Sequence, residues 1–228
     1  MLYYANSSWG EEHTNGIGIA WSLRPEGPFT DAGKLFLSDE IEVMNSIDAF
    51  YMEENGRKYL FWGSWHGLWG VELTDDGLAL QPNTPNIPIA GNGYEAGLLH
   101  KHGDYYYLFA STGSCCEGLK STYTTVVGRS KNLFGPYVNR KGELMLSNHH
   151  EVVIEKNKDF VGPGHNSQLV TDDAGNDWIF YHGVNVKNPE GRVLMMSKIV
   201  WEDGWPTVEN SSPAVTATAP YFKSQYKN

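Results

Sequence analysis

The stretch FVGPGHNSQLVTDDAGNDWIFYHG, Phe160 to Gly183, sets His165 inside a glycine-rich turn and then runs through an acidic turn into an apolar, aromatic strand. Its last six residues, Trp178 to Gly183, have counterparts in LYYANS from Leu2, YLFWGS from Tyr59 and YYLFAS from Tyr106. Each is an apolar-aromatic run ending in a small polar pair, so one structural element is written four times. Before the last three copies stand the turns EENGRK, KHGD and DDAGND, and before those the short runs SIDAFYM, YEAGLLH and GHNSQLV, so each repeat contains a hairpin.

More strands follow each aromatic run: GIGIAWS, LWGVELT, TYTTVVGRS and VLMMSKIVW, with GPF and GPY turns closing the first and third copies. Leu60 and its counterpart Leu108 are 48 residues apart. Three or four strands recurring at about this interval are the mark of a β-propeller blade. The competing two-sheet sandwich gives no reason for repeated motifs. The expected fold class is therefore all-β, a β-propeller, in one domain over 1–228 with blade segments at about 1–40, 43–85, 93–145 and 160–210 and a C-terminal tail at 211–228.

Composition agrees. The chain has 228 residues, 13% of them aromatic, with 25 glycines, and long helical periodicities are hard to find, which favours many short strands over helices. The 17 basic residues are scattered against 27 acidic ones for a net charge of -10, which argues against a nucleic-acid partner. No apolar run reaches the roughly 18 residues of a membrane-spanning helix, and MLYYANSSWGEEHTNGIGIAW lacks the layout of a signal peptide, leaving the compartment open. Cys115 and Cys116 are adjacent, cannot staple distant parts of a fold and do not have zinc-site spacing. A vicinal disulfide and two reduced, partly buried thiols are both open.

In a propeller the first strand of each blade lines the central channel. Aligning the copies places Asp48, Glu95 and His165 at matching points, 12, 13 and 14 residues before Leu60, Leu108 and Ile179. Two carboxyl groups facing one cavity are what glycosidic bond cleavage needs. Glu95 lies in GYEAGLL, whose small and apolar neighbours would desolvate it and favour the protonated form that a general acid needs. Asp48, in NSIDAFY, would hold and tune that acid. Singly, either carboxylate could serve to cap a turn; their matching positions weigh against that.

His165 reads as a satisfied buried histidine, as a ligand of a metal or water, or as a group contacting the acid. One imidazole does not make a transition-metal site, so an ion here would be a hard cation such as calcium, mostly hydrated. Trp65, His66 and Trp69 in GSWHGLWG supply rings to stack on sugar faces, although Trp69 serves equally well as packing between blades. Asn45 and Ser114 complete the substrate-binding candidates. DDAGND lacks the spacing and distal glutamate of a calcium-binding EF-hand loop and reads as a hairpin turn.

The segments NSIDAFYMEENGRKYLFWGS, YEAGLLHKHGDYYYLFASTGSCCEGLKSTYTTVVGRSKNLFGPY and GPGHNSQLVTDDAGNDWIFYH resemble glycoside hydrolase family 43, five-bladed propellers that degrade arabinan and xylan, from about Leu2 to Val208. The middle segment, with its Cys-Cys pair and its Ser-Thr-Tyr followed by Val-Gly-Arg-Ser, is most like the arabinanase branch. The resemblance implies an inverting hydrolase of arabinanase, arabinofuranosidase or β-xylosidase type, acting on arabinan or a related arabinose- or xylose-containing plant polysaccharide. It makes Glu95 the general acid, Asp48 its pKa modulator and His165 the channel histidine beside a calcium or similar ion. It also implies a place outside the cytoplasm, extracellular or periplasmic.

Inversion further needs a general base about 6.5 to 9.5 Å from the acid. The family carries it as an aspartate in its first blade, and it maps to no residue here, because MLYYANSSWG matches the second strand of the family's second blade. The expectation is thus an N-terminally truncated ring of about three and a half to four blades. Such a chain is an enzyme lacking its base, a catalytically impaired carbohydrate-binding propeller, or a fragment completed by another chain. Its open blade edge invites self-association. Ala49 and Gly97 stand where the family has proline, which makes these strand starts less rigid.

Overall fold

Each repeated aromatic run forms a strand with partners on either side or at a sheet edge, and the chain is all-β apart from isolated turns of helix. The structure, a computed structural model, describes residues 1–223, so the end of the expected tail lies outside the described residues. Four antiparallel sheets follow one another. The first holds β1 (Leu2–Asn6), β2 (Gly16–Trp21) and β3 (Thr30–Leu37), and the second β4 (Phe50–Glu54), β5 (Arg57–Trp62), β6 (Leu68–Leu73) and β7 (Ile87–Ala90). The third holds β8 (Glu95–His102), β9 (Tyr105–Thr112), β10 (Thr124–Ser130) and β11 (Glu151–Ile154). The fourth holds β12 (Phe160–Gly164), β13 (Val170–Thr171), β14 (Asp177–Asn185), β15 (Arg192–Glu202) and β16 (Trp205–Val208). The aromatic runs are β1, β5, β9 and β14. The chain packs as two compact units, Met1–Leu108 with Gly128–His149, and Phe109–Val127 with His150–Asn228, so the division falls within β9 and β10.

In the first unit, β4 and β5 pair from Phe50↔Phe61 to Glu54↔Arg57, and their two-residue link is Asn55-Gly56 with φ of 52° and 76°. Two consecutive positive φ values are what a type I′ hairpin requires, and Asn-Gly is the pair that adopts them at least cost. β5 is buried on both faces from Tyr59 to Trp62, which explains why it reads as an unbroken apolar run rather than an alternating one. Ile17, Phe36, Val43, Leu60, Trp62, Val71 and Leu73 form one core, with Tyr3 and Tyr51 stacked at its margin at 5.5 Å.

After β5 the GSWHG loop turns sharply. Gly63 has φ of +124°, and a Cβ there would lie 2.2 Å from the Gly67 carbonyl oxygen. Glycine is therefore required by both backbone angle and space. Gly63→Ala is expected to destabilise the protein by about 2 kcal/mol or more. A urea titration that shows a change below about 0.5 kcal/mol would refute this close approach.

In the second unit, β14 pairs with β15 from Trp178↔Lys198 to Val184↔Arg192 and with β12 and β13 on its other side. DDAGND is a hairpin turn, as expected, organised by Asp172. Its carboxylate accepts from the backbone N–H groups of Ala174 and Asn176, from the Asn176 amide and from the Trp178 indole at 2.9 Å. Burial alone would raise this carboxyl, but these donors hold it well below the usual carboxylate range. The Cys115 and Cys116 sulfurs lie against each other in the arrangement of a vicinal disulfide.

Two expected strands are shorter than their sequence suggests. Pairing of SIDAFYM begins only at Phe50, because Asp48 has φ of 59°, and in GHNSQLV it stops at Gly164 and resumes at Val170, because His165 has φ of 47°. A left-handed residue turns the chain out of the pleat. In the YEAGLLH run the left-handed residue is Ala96, with φ of 54°. Ala96 precedes Leu108 by the same 12 residues that separate Asp48 from Leu60. In backbone terms Ala96 is thus the counterpart of Asp48 and His165, and Glu95 stands one residue earlier.

Candidate active site

The first unit brings Asp48 and Glu95 together through the backbone. The Ala96 N–H donates to Asp48 Oδ2 at 3.1 Å, so Asp48 grips the peptide that immediately follows Glu95. Glu95 opens β8 with 8% of its surface exposed. Its Oε2 accepts from the Ser64 hydroxyl at 3.1 Å, and its Oε1 is buried with no hydrogen-bond partner among the described residues. A carboxyl group with one oxygen anchored and the other unengaged has a definite orientation and one atom to spare for chemistry.

The loop after β5 frames this carboxyl. The Trp65 N–H donates to the Tyr94 carbonyl at 2.8 Å, which pins the loop beside the start of β8. Asn45 donates from Nδ2 to the Ser64 carbonyl at 3.1 Å and accepts from Asn15 Nδ2 at 2.7 Å. His66 is exposed and its Nε2 lies 3.0 Å from Glu12 Oε2. The Trp69 indole donates to the His66 carbonyl at 3.1 Å and so ties the same loop to β6. Asn45, Asp48 and Trp65 all have positive φ, at 50°, 59° and 58°. Non-glycine residues held there store strain of about 1–3 kcal/mol each and cluster at functional sites.

The second unit holds His165 and Ser114. The His165 N–H donates to Ser111 Oγ at 2.8 Å, and its ring lies 6.4 Å from that of His182. His182 stacks on Tyr123 at 5.6 Å, and both its ring nitrogens are buried without a hydrogen-bond partner among the described residues. Burial first, then the charges of Arg192 and His165, push the His182 imidazole down to about 4. Ser114 anchors the loop that carries the cysteine pair. Its N–H donates to Thr122 Oγ1 at 2.9 Å and its carbonyl accepts from the Ser121 hydroxyl at 2.6 Å. The His165 side chain is exposed, and the buried Oδ1 of its sequence neighbour Asn166 has no hydrogen-bond partner among the described residues. One imidazole and one amide oxygen are too few protein donors for a closed transition-metal site, so an ion held here would take most of its ligands from water.

Reading the sequence missed Ser64 and Ser111. They occupy the same place in YLFWGS and YYLFAS, at the end of the aromatic run, and each hydroxyl holds a candidate residue of the next repeat, Glu95 or His165. The signal was present as the small polar pair that closes each copy. Ser64→Ala and Ser111→Ala are each expected to cost about 1–2 kcal/mol by leaving a group without its partner. Ser7, at the same place in LYYANS, is exposed, and Ser7→Ala is expected to stay within about 0.5 kcal/mol. Equal effects at all three serines would remove the distinction.

The extracellular exo-alpha-(1->5)-L-arabinofuranosidase ArbA of Cellvibrio japonicus is 34% identical over 233 residues, covering 91% of this chain and 66% of its own. The extracellular endo-alpha-(1->5)-L-arabinanase 1 of Bacillus subtilis is 30% identical, covering 90% of this chain and 64% of its own. The chain thus spans about two thirds of the length of these relatives. The structure of Cellvibrio cellulosa alpha-L-arabinanase complexed with arabinohexaose superposes with a TM-score of 0.81 at 31% identity, covering 91% of this chain and 72% of that one. The fold is accordingly of the all-β propeller type that these arabinanases share. Residues 1–206 match the profile of Glycosyl hydrolases family 43, and the chain belongs to that family.

Proposed function

We propose that this chain carries the acid half of an inverting hydrolase for alpha-1,5-linked arabinan. The observation that carries the reading is the Glu95 carboxyl, held at Oε2 by Ser64 and unengaged at Oε1, with Asp48 gripping the next peptide. Glu95 would give its proton to the leaving glycosidic oxygen as water attacks the anomeric carbon from the opposite face. Asp48 would position and tune that acid. The base that takes the proton from water must lie about 6.5–9.5 Å away, and we assign it to no residue of this chain. Trp65, His66, Asn45 and Ser114 are the proposed sugar contacts. Arabinan-directed relatives and an arabinohexaose complex of a structural neighbour support an oligosaccharide ligand. Two relatives named as extracellular support the same location for this protein, and among the described residues no helix is long and apolar enough to cross a membrane.

The test is incubation with linear arabinan, followed by proton NMR of the first product. Whatever arabinan the chain turns over is expected to appear first as the β-anomer, released from the α-linked chain. Release of the α-anomer first would overturn inversion, and binding without turnover would favour a carbohydrate-binding propeller over an enzyme. Self-association through the edge strand β1 belongs to the same reading; a monomer by light scattering at micromolar concentration would remove it.

His165 would hold a hydrated divalent cation, with calcium the chemical class that fits, through one ring nitrogen. A bound cation would supply positive charge and oriented water. After exhaustive chelation, calcium is expected to raise the melting temperature of the wild type, by about 2.7 kcal/mol of stabilisation at a hundredfold excess over the dissociation constant. It is expected to leave His165→Ala unmoved. An equal rise in both would place the ion elsewhere.

A further inference from the structure

We propose that the first unit carries an anion-binding site, distinct from the Glu95 region, for a carboxylate or phosphate on a ligand of monosaccharide size. In GRSKNLFGPYVNRKG, from Gly128 to Gly142, four basic residues stand with no acidic one, in a chain whose net charge is -10. Three of them, Arg129, Lys131 and Arg140, line one cavity of about 440 Å³ with Tyr105, Asn132 and Asn139, and no carboxylate is among its lining residues. The Arg129 guanidinium lies 4.4 Å from the centroid of the Tyr105 ring and Lys131 Nζ lies 5.7 Å from it, so one aromatic ring meets two cations. Arg129 also bonds the Tyr107 phenol.

The scaffold is preformed. Arg129 and Val138 exchange backbone hydrogen bonds at 3.0 Å in both directions. Ser130 Oγ accepts from the Asn132 N–H, and Asn139 Oδ1 accepts from the N–H groups of Lys141 and Glu143. The nearest acid in sequence, Glu143, is not among the lining residues; it accepts from the Asn139 amide at 2.8 Å and faces Lys141 and His149. Planar guanidinium groups match the two-oxygen edge of a carboxylate or phosphate, and the cavity volume falls in the range of small-ligand sites.

Titration calorimetry on the full chain tests this, with galacturonate, inorganic phosphate and neutral galactose as separate probes. Galacturonate or phosphate is expected to bind, more weakly as salt rises, while galactose does not. In the double variant Lys131→Gln, Arg140→Gln, whose side chains are exposed, the affinity is expected to fall about tenfold or more. Binding of galacturonate alone identifies an acidic sugar, and binding of phosphate with equal or greater strength identifies a phosphate site. No binding of either anion, or an affinity unchanged in the double variant, overturns the proposal. Arabinan hydrolysis by the variant reports separately on the Glu95 region, so failure of one reading leaves the other standing.

Discussion

Glu95→Gln is expected to leave the protein folded and to lower the rate of arabinan hydrolysis by about 10²- to 10⁴-fold, the contribution of a positioned general acid. The amide has the shape of the carboxyl group and can still accept from the Ser64 hydroxyl, so the anchor at Oε2 survives. What it lacks is a proton it can release to a departing oxygen. A leaving group that departs readily without protonation needs less help. The loss should therefore shrink with a nitrophenyl arabinoside and be largest on arabinan itself. Equal losses on both substrates would mean that Glu95 binds rather than protonates, and no loss on either would end its assignment. Thermal melts of the two proteins should agree within about 3 °C, since a change of that size corresponds to roughly 1 kcal/mol for a chain of this length.

The aromatic runs announced the fold because β5, β9 and β14 are buried along most of their length, and burial on both faces leaves a composition signal that alternation would not. Asn55-Gly56 was readable for a different reason: few residue pairs tolerate two positive φ values in succession. The site was legible only in part. Glu95 and Asp48 are found by spacing, but the one-residue offset between Glu95 and the left-handed Ala96 was hidden, since alanine carries no mark of an unusual φ. Breaks in pairing at Asp48 and His165 were hidden for the same reason, because a β-like composition continues through them. Ser64 and Ser111 look like turn residues in the sequence, and their partners, 31 and 54 residues away, are set by how successive repeats meet.

The largest effect on stability is expected at Trp62, where the core of the first unit and the support of Asp48 coincide. Its side chain is 1% exposed, and its ring lies 5.1 Å from that of Phe36 across the core. Its indole N–H donates to Ser46 Oγ at 3.1 Å, and the Ser46 hydroxyl in turn donates to the Val43 carbonyl at 2.8 Å. The Ser46 N–H reaches Ser38 Oγ, whose own hydroxyl is bonded to the Asn15 carbonyl at 2.9 Å. This buried chain of donors ties the entries of β2 and of the short helix α1 (Ser38–Ile41) to the segment just before Asp48. Trp62→Ala removes a large ring from a packed interior and is expected to cost about 3–5 kcal/mol, a fall in melting temperature of roughly 10 °C. Trp62→Phe keeps most of the ring volume and loses only the donor, so its cost should be about 1–2 kcal/mol. Packing and hydrogen bonding are thereby separated in two variants read by the same urea titration. If phenylalanine costs as much as alanine, the hydrogen-bonded chain through Ser46 outweighs the packing; if neither variant loses as much as about 1 kcal/mol, Trp62 is not the keystone of this core.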